Sequence, residues 1–161
     1  MDKKLEKFLS GNKIKFTLHE HKKVFTAHDE AQTLASSRLG RSGQHIKTKE
    51  IAKVVLVKFD KSYALVIVPA QKYVEFKKVK KALKAKKVSM AKESDITKIL
   101  KTKVGLIHPF GNLYALPVLL DNSVAKQKKI HASAGSYTES IELKVSDFIK
   151  SVLPVKGSFS K

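Results

Sequence analysis

Leu5, Phe8 and Leu9 recur at helical spacing and predict a short amphipathic helix that stops at Gly11. The period then changes. Ile14, Phe16 and Leu18 alternate with Lys15, Thr17 and His19, which predicts a half-buried strand with one polar face. Thr26 followed by Asp29 fits a capping box that opens a helix. That helix carries Ala31, Leu34 and Ala35 on one face and ends near Gly40. Gly40 to Lys49 holds two glycines and no period, and reads as a loop.

The centre of the chain is more decisive. AKVVLVKF (52–59) and YALVIVPA (63–70) are β-branched runs separated by Asp60, Lys61 and Ser62, which predicts an antiparallel hairpin in a core sheet. Phe76, Val79 and Leu83 then form a helical stripe, and Lys77, Lys78, Lys80, Lys81 and Lys84 cover the rest of that helix. This basic surface is either a solvated face or an RNA-facing patch. A further helix is expected over 94–100, strands at 115–120, 129–134 and 140–143, and a last helix near 146–152. Strands and helices mix without strict alternation, so the class is α+β with a mixed sheet. No linker, low-complexity tract or repeat interrupts residues 1–161, which are expected to be one domain with its core over about 12–152.

Composition narrows the class. With 161 residues, folding buries roughly 70% of the unfolded surface. A hydrophobic content of 42% is enough for a core. The N-terminus has no apolar stretch long enough for a signal peptide. The longest apolar segment, Val54 to Pro69, is broken by Lys58, Asp60 and Lys61 and is too short to cross a bilayer. The expectation is a cytoplasmic protein without membrane partners. Charge changes the picture most: 33 Lys and Arg against 14 Asp and Glu give +19. Such an excess draws in polyanions, with nucleic acid the first candidate, although a surplus of surface lysine also confers plain solubility.

Familiar catalytic signatures are missing: no GxSxG elbow, no phosphate-binding Gly-rich loop before a helix, no HExxH. There is no cysteine, which excludes thiol chemistry and thiolate metal sites. Histidines stand at 19, 21, 28, 45, 108 and 131, and none pairs with another at helical ligand spacing beside a carboxylate. His19 and His21 would share one side of a strand, as either a metal-binding pair or an ordinary polar face. No metal and no cofactor is expected. Two features remain. VGLIHPFGN (104–112) holds an apolar stretch between glycines and a proline, so its backbone can approach a ligand closely and aim N–H groups at a developing oxyanion, or it is simply a sharp turn. Lys53 opens an otherwise apolar strand, a position where lysines commonly snorkel.

In combination and order these features resemble the YbaK/prolyl-tRNA-synthetase-associated domain family. The matching stretches are HEHKKVFTAHDEAQTL (19–34), AKVVLVK (52–58), LVIVPA (65–70), the GxxxP loop GLIHPFG (105–111), LLDNSV (119–124) and IHASAGSYTESIEL (130–143). The resemblance implies a mixed sheet curled into a partial barrel, surrounded by helices, with an aminoacyl-adenosine pocket on one side. It implies that Lys53 holds the acceptor end or the aminoacyl ester, and that Gly105 to Pro109 supply backbone contacts at the scissile carbonyl. Thr26 and His131 would line the pocket, His131 setting its size, and His108, Phe110, Gly111 and Gly135 would contact substrate. Catalysis in the family looks substrate-assisted, with a terminal ribose hydroxyl positioning or activating water, which agrees with the lack of a readable general base.

The spelling HEHxxVFT, HPFG and the turn holding His131 is closer to the editors of alanyl-tRNA(Pro) than of cysteinyl-tRNA(Pro). Alanine editors often carry a polar residue after the strand lysine, where this chain has Val54. The implied function is a deacylase acting in trans on mischarged tRNA, tRNA(Pro) carrying a small amino acid such as alanine or cysteine, with a synthetase as a possible partner. The alternatives are a non-catalytic tRNA- or synthetase-binding module and a general RNA-binding protein.

Overall fold

A computed structural model of the chain describes residues 1–20 and 48–161. The helix expected over 26–40, most of the loop after it, and Thr26, His21, His28 and His45 lie outside the described residues.

Helix α1 (Lys3–Gly11) forms where the 3–4 spacing predicts it. The Asp2 side chain accepts from Leu5 N–H at 3.0 Å, and Leu5 and Leu9 are fully buried. Strand β1 (Phe16–Glu20) follows. The predicted hairpin is present as β2 (Ala52–Phe59) and β3 (Ser62–Pro69), in antiparallel register from Ala52–Pro69 to Phe59–Ser62. β3 is almost continuously apolar because both its faces are covered. Leu65 and Ile67 enter one core with α1, Phe110 and Phe148, while Ala64, Val66 and Val68 enter a second core with Val79 and Phe159.

Helix α2 (Phe76–Leu83) packs Val79 into that second core, with Glu75 capping it through Lys77 N–H at 3.4 Å. Then come β4 (Val88–Met90), a helical turn α3 (Glu93–Asp95) running into a π-helical turn (Ile96–Leu100), β5 (Val118–Asp121) and α4 (Asn122–Ala125). β6 (Lys129–Ser133), β7 (Glu139–Lys144), α5 (Val145–Val152) and β8 (Val155–Gly157) complete the order.

Two sheets result. One is antiparallel with order β1-β7-β6, and the other is mixed with order β4-β2-β3-β5-β8. Among the described residues a single parallel bridge, between Ile51 and His131, joins them, and neither closes into a barrel. The α+β class with mixed strands and surrounding helices holds, with the one curled sheet resolved into two that meet at this bridge. The strand expected from Ala115 begins at Val118 instead. Gly111–Tyr114 form a 3-10 turn that Ala115 ends in a left-handed conformation at φ 55°.

Candidate functional site

The three-stranded sheet has an apolar and a polar face. Phe16, Leu18, Ile130, Ala132, Ile141 and Leu143 point one way by strand alternation. Thr17, His19, His131, Ser140 and Glu142 point the other. The alternation predicts His19 on an open polar face, and the structure corrects this: His19, His131 and Ser140 are buried. The histidine rings lie against each other with centroids 4.7 Å apart. His131 Nε2 is 2.6 Å from Ser140 Oγ, and His19 Nε2 is 3.0 Å from Glu142 Oε2.

Glu142 ties this network together. Its pKa is drawn down to about 2 by His131, then Lys129 and His19, against a burial that raises it. His131 Nδ1 stands 3.7 Å from the carboxylate, long for a hydrogen bond, whereas Lys129 Nζ and His19 Nε2 each approach to 3.0 Å and hold the charge more directly. Ligand atoms of His19, His131 and Glu142 lie within 4.8 Å of one another, so they could converge on a cation. The Lys129 ammonium on Glu142 already balances the one negative charge such an ion would need, which favours a hydrogen-bonded network.

Lys53 and His131 fall on the same side of the sheet junction. Ile51 bridges His131, and Lys53 is two residues on, hence on the same face of the strand. Lys53 is half-buried, its pKa is lowered by desolvation, and its Nζ lies 4.8 Å from the centre of the Tyr73 ring. The ammonium therefore has a defined direction.

The GxxxP loop is attached to the same hairpin, because Tyr137 OH, in the β6–β7 turn, donates to Val104 O at 3.3 Å. Gly105 has φ 86°, a conformation that side-chain-bearing residues adopt with strain. Inside the loop, Leu106 N–H donates to Lys103 O, Gly111 N–H to Pro109 O and Phe110 N–H to His108 Nδ1. The amides of Gly105, Ile107 and His108 are those that could face a ligand. Pro109 is buried.

His108 lies behind the loop surface. It is buried, its ring stacks on Tyr114 at 5.4 Å, and burial pushes its pKa down to about 4. With Nδ1 accepting from Phe110, the ring proton sits on Nε2 and is donated to Tyr114 OH at 3.2 Å. Phe110 is fully buried and packs on Phe8 and Phe148. Gly111 is needed for space, since a Cβ there would meet Val118 Cγ2 at 2.5 Å. Gly135, at φ 88°, lies under Asp2, whose N–H donates to Ala134 O at 2.8 Å. These residues set the shape of the loop and turn from behind.

Sequence reasoning missed Glu142, Ser140, Tyr114 and Tyr73. An aromatic between lysines, as in QKYVEFKK (71–78), is the signal that could have drawn attention to Tyr73.

Charge is uneven. Residues 72–103 hold twelve lysines and three acidic residues, and the four lysines of α2 and its C-cap Lys84 are all exposed. At the far end of β2 from Lys53 lies a groove of about 410 Å³ whose lining includes Lys58, Lys87 and Lys92 with Asp60 and Asp95. The Asp carboxylates are engaged by the fold: Asp60 accepts from the Lys86 and Lys87 amides, and Asp95 from Tyr63 OH at 2.9 Å and Lys92 N–H at 3.0 Å. The ammonium groups are thus the groove's outward chemistry. Among the described residues no helix is long and apolar enough to cross a membrane.

Residues 21–151 match the model of the aminoacyl-tRNA editing domain family. Among solved structures, the chain is similar to the hypothetical protein APE2540, with 17% identity, TM-score 0.84 and coverage of 99% of this chain and 100% of that one. It is also similar to a candidate trans-editing enzyme for prolyl tRNA synthetase, with 13% identity, TM-score 0.77 and coverage of 100% and 99%. At these identities the two structures carry the fold.

Proposed function

We propose that this chain, which belongs to the aminoacyl-tRNA editing domain family, is a deacylase acting in trans on mischarged tRNA, namely tRNA(Pro) bearing a small amino acid such as alanine. The observation that carries this reading is a positive-φ glycine opening a loop hooked to the hairpin that holds His131, next to the strand of Lys53. An aminoacyl ester is already activated. Hydrolysis then needs orientation of the ester, a positioned water and donors for the oxyanion, and no strong side-chain base.

Lys53 orients the aminoacyl end through its ammonium. Backbone N–H groups of Gly105, Ile107 and His108 face the carbonyl oxygen as it gains charge. Water adds to the carbonyl carbon, the ester C–O bond breaks, and the terminal ribose leaves with its hydroxyl proton restored. His108 is neutral and engaged on both nitrogens, which agrees with a ribose hydroxyl, rather than histidine, handling the water. The lysines of α2 and of the groove supply contacts to RNA phosphates. The protein would work in the cytoplasm, where charged tRNA is made, with a prolyl-tRNA synthetase as its natural neighbour.

The test is hydrolysis of labelled tRNAs carrying alanine, serine, threonine, cysteine or proline. Ester loss from a small non-cognate amino acid supports the reading. Tight binding with no ester loss from any of them replaces it with a non-catalytic charged-tRNA module.

A further inference from the structure

Tyr73 is 71% exposed, and is the only aromatic ring among the exposed large apolar side chains of the described residues. Its surroundings are not those of a mobile loop tip. Tyr73 N–H donates to Lys161 O at 3.1 Å and Lys161 N–H returns to Tyr73 O at 2.9 Å. The next residue, Val74, bridges Ser160 and is buried in the core that also holds Phe159. The ring is thus presented from a fixed backbone, with little conformational entropy left to lose on binding. Lys53 Nζ sits 4.8 Å from the ring centre, and exposed Lys72 and Lys161 flank it in sequence and by hydrogen bonding.

A rigid exposed aromatic with the Lys53 ammonium against its ring, exposed Lys72 beside it in sequence and the Lys161 ammonium 3.9 Å from the Glu75 carboxylate, matches one ligand chemistry closely: an unpaired nucleobase on a phosphate backbone. The base stacks on the ring and the neighbouring phosphates meet the lysines. A protein partner would gain the ring but would have to neutralise the lysines. We propose that Tyr73 is a stacking platform for an unpaired base at the 3′ end of the RNA, beside the reacting end that Lys53 orients. The proposal rests on the deacylase reading for that placement, and its test needs no hydrolysis.

The experiment measures the affinity of the whole protein for an uncharged hairpin RNA with a four-nucleotide single-stranded 3′ end. A matched RNA carries abasic sugars in place of the 3′ bases. Tyr73→Phe should bind the intact RNA like the wild type. Tyr73→Ala should bind it about 5- to 150-fold more weakly, the range for one lost base–aromatic stack. On the abasic RNA all three proteins should bind alike. Unchanged affinity of Tyr73→Ala for the intact RNA overturns the proposal. A loss that persists on the abasic RNA also overturns it, since the ring would then act only by holding Lys53. Base-dependent binding without hydrolysis of any mischarged tRNA would leave the platform standing and remove the deacylase reading. Hydrolysis with unchanged Tyr73→Ala binding would do the reverse.

Discussion

Acidification should destabilise the protein through His108, between its unfolded and folded pKa values. In the folded chain burial lowers the His108 pKa from 6.5 to about 4. Between these values the unfolded chain binds a proton that the native chain refuses, so stability falls as pH falls. A histidine with those two pKa values loses about 2 kcal/mol by pH 5 and about 3 kcal/mol by pH 4. For a chain of this size the first figure corresponds to a fall in Tm of about 4–8 °C. Glu142 acts lower. Its pKa falls from 4.5 to about 2, so its contribution is present above 4.5 and lost between 4.5 and 2. The assay is urea unfolding at half-unit steps from pH 7 to 4, for the wild type and for His108→Asn, which keeps an acceptor for Phe110 N–H and cannot titrate. The variant starts less stable because the Tyr114 contact is gone, but its curve should be flatter by about 1.6 kcal/mol between pH 6.5 and 5. Parallel curves would refute the assignment of a buried, neutral His108.

The remaining predictions concern the site. Gly105→Val, at φ 86°, should reduce turnover by about 100-fold or more, as for a lost oxyanion donor, with tRNA affinity little changed; single-turnover hydrolysis beside a binding isotherm checks this. Loss of folding would make the loop structural only. Uncharged tRNA should bind with a log–log salt slope of about −3 to −4, and replacing Lys58, Lys87 and Lys92 with Gln should make it shallower, by about 0.7–0.9 for each phosphate contact removed. An unchanged slope removes the groove from the RNA surface. His131→Ala should relax discrimination among small amino acids by an amount on the order of 1–3 kcal/mol, read from competing substrates. It should also lower the melting temperature, because Ser140 and the His19 ring lose their partner; unchanged ratios would confine His131 to the network.

The hairpin of β2 and β3 was legible because its two runs are β-branched and have a short polar turn between them. α1 and α2 were legible from their apolar stripes. Three-residue strands such as β4 and β8 carry no readable period. Several helical turns end on Lys84, Lys101, Ala115 and Leu153 in left-handed conformations, without the glycine that usually marks such a stop. Alternation correctly put His19 opposite Leu18, yet it says nothing of what packs on each face, and so the stacked His19–His131 pair was hidden. Lys53 and the GxxxP loop stood out by composition. The Ile51–His131 bridge and the Tyr137–Val104 bond, which tie each of them to the β6–β7 hairpin, are long-range, and so is the packing demand that makes residue 111 a glycine.

Single-turnover hydrolysis of alanyl-tRNA(Pro) by the wild type and by Lys53→Ala, with a thermal melt of each, tests the central claim most directly. The account predicts ester loss with the wild type and at least an ~100-fold slower rate with the variant, the cost of a misplaced substrate. Both proteins should be folded, and both should keep most of their tRNA affinity, which is spread over many other lysines. Equal rates for the two proteins would contradict the role given to Lys53. Absence of hydrolysis by the wild type, on this tRNA and on those carrying the other small amino acids, would contradict the deacylase itself.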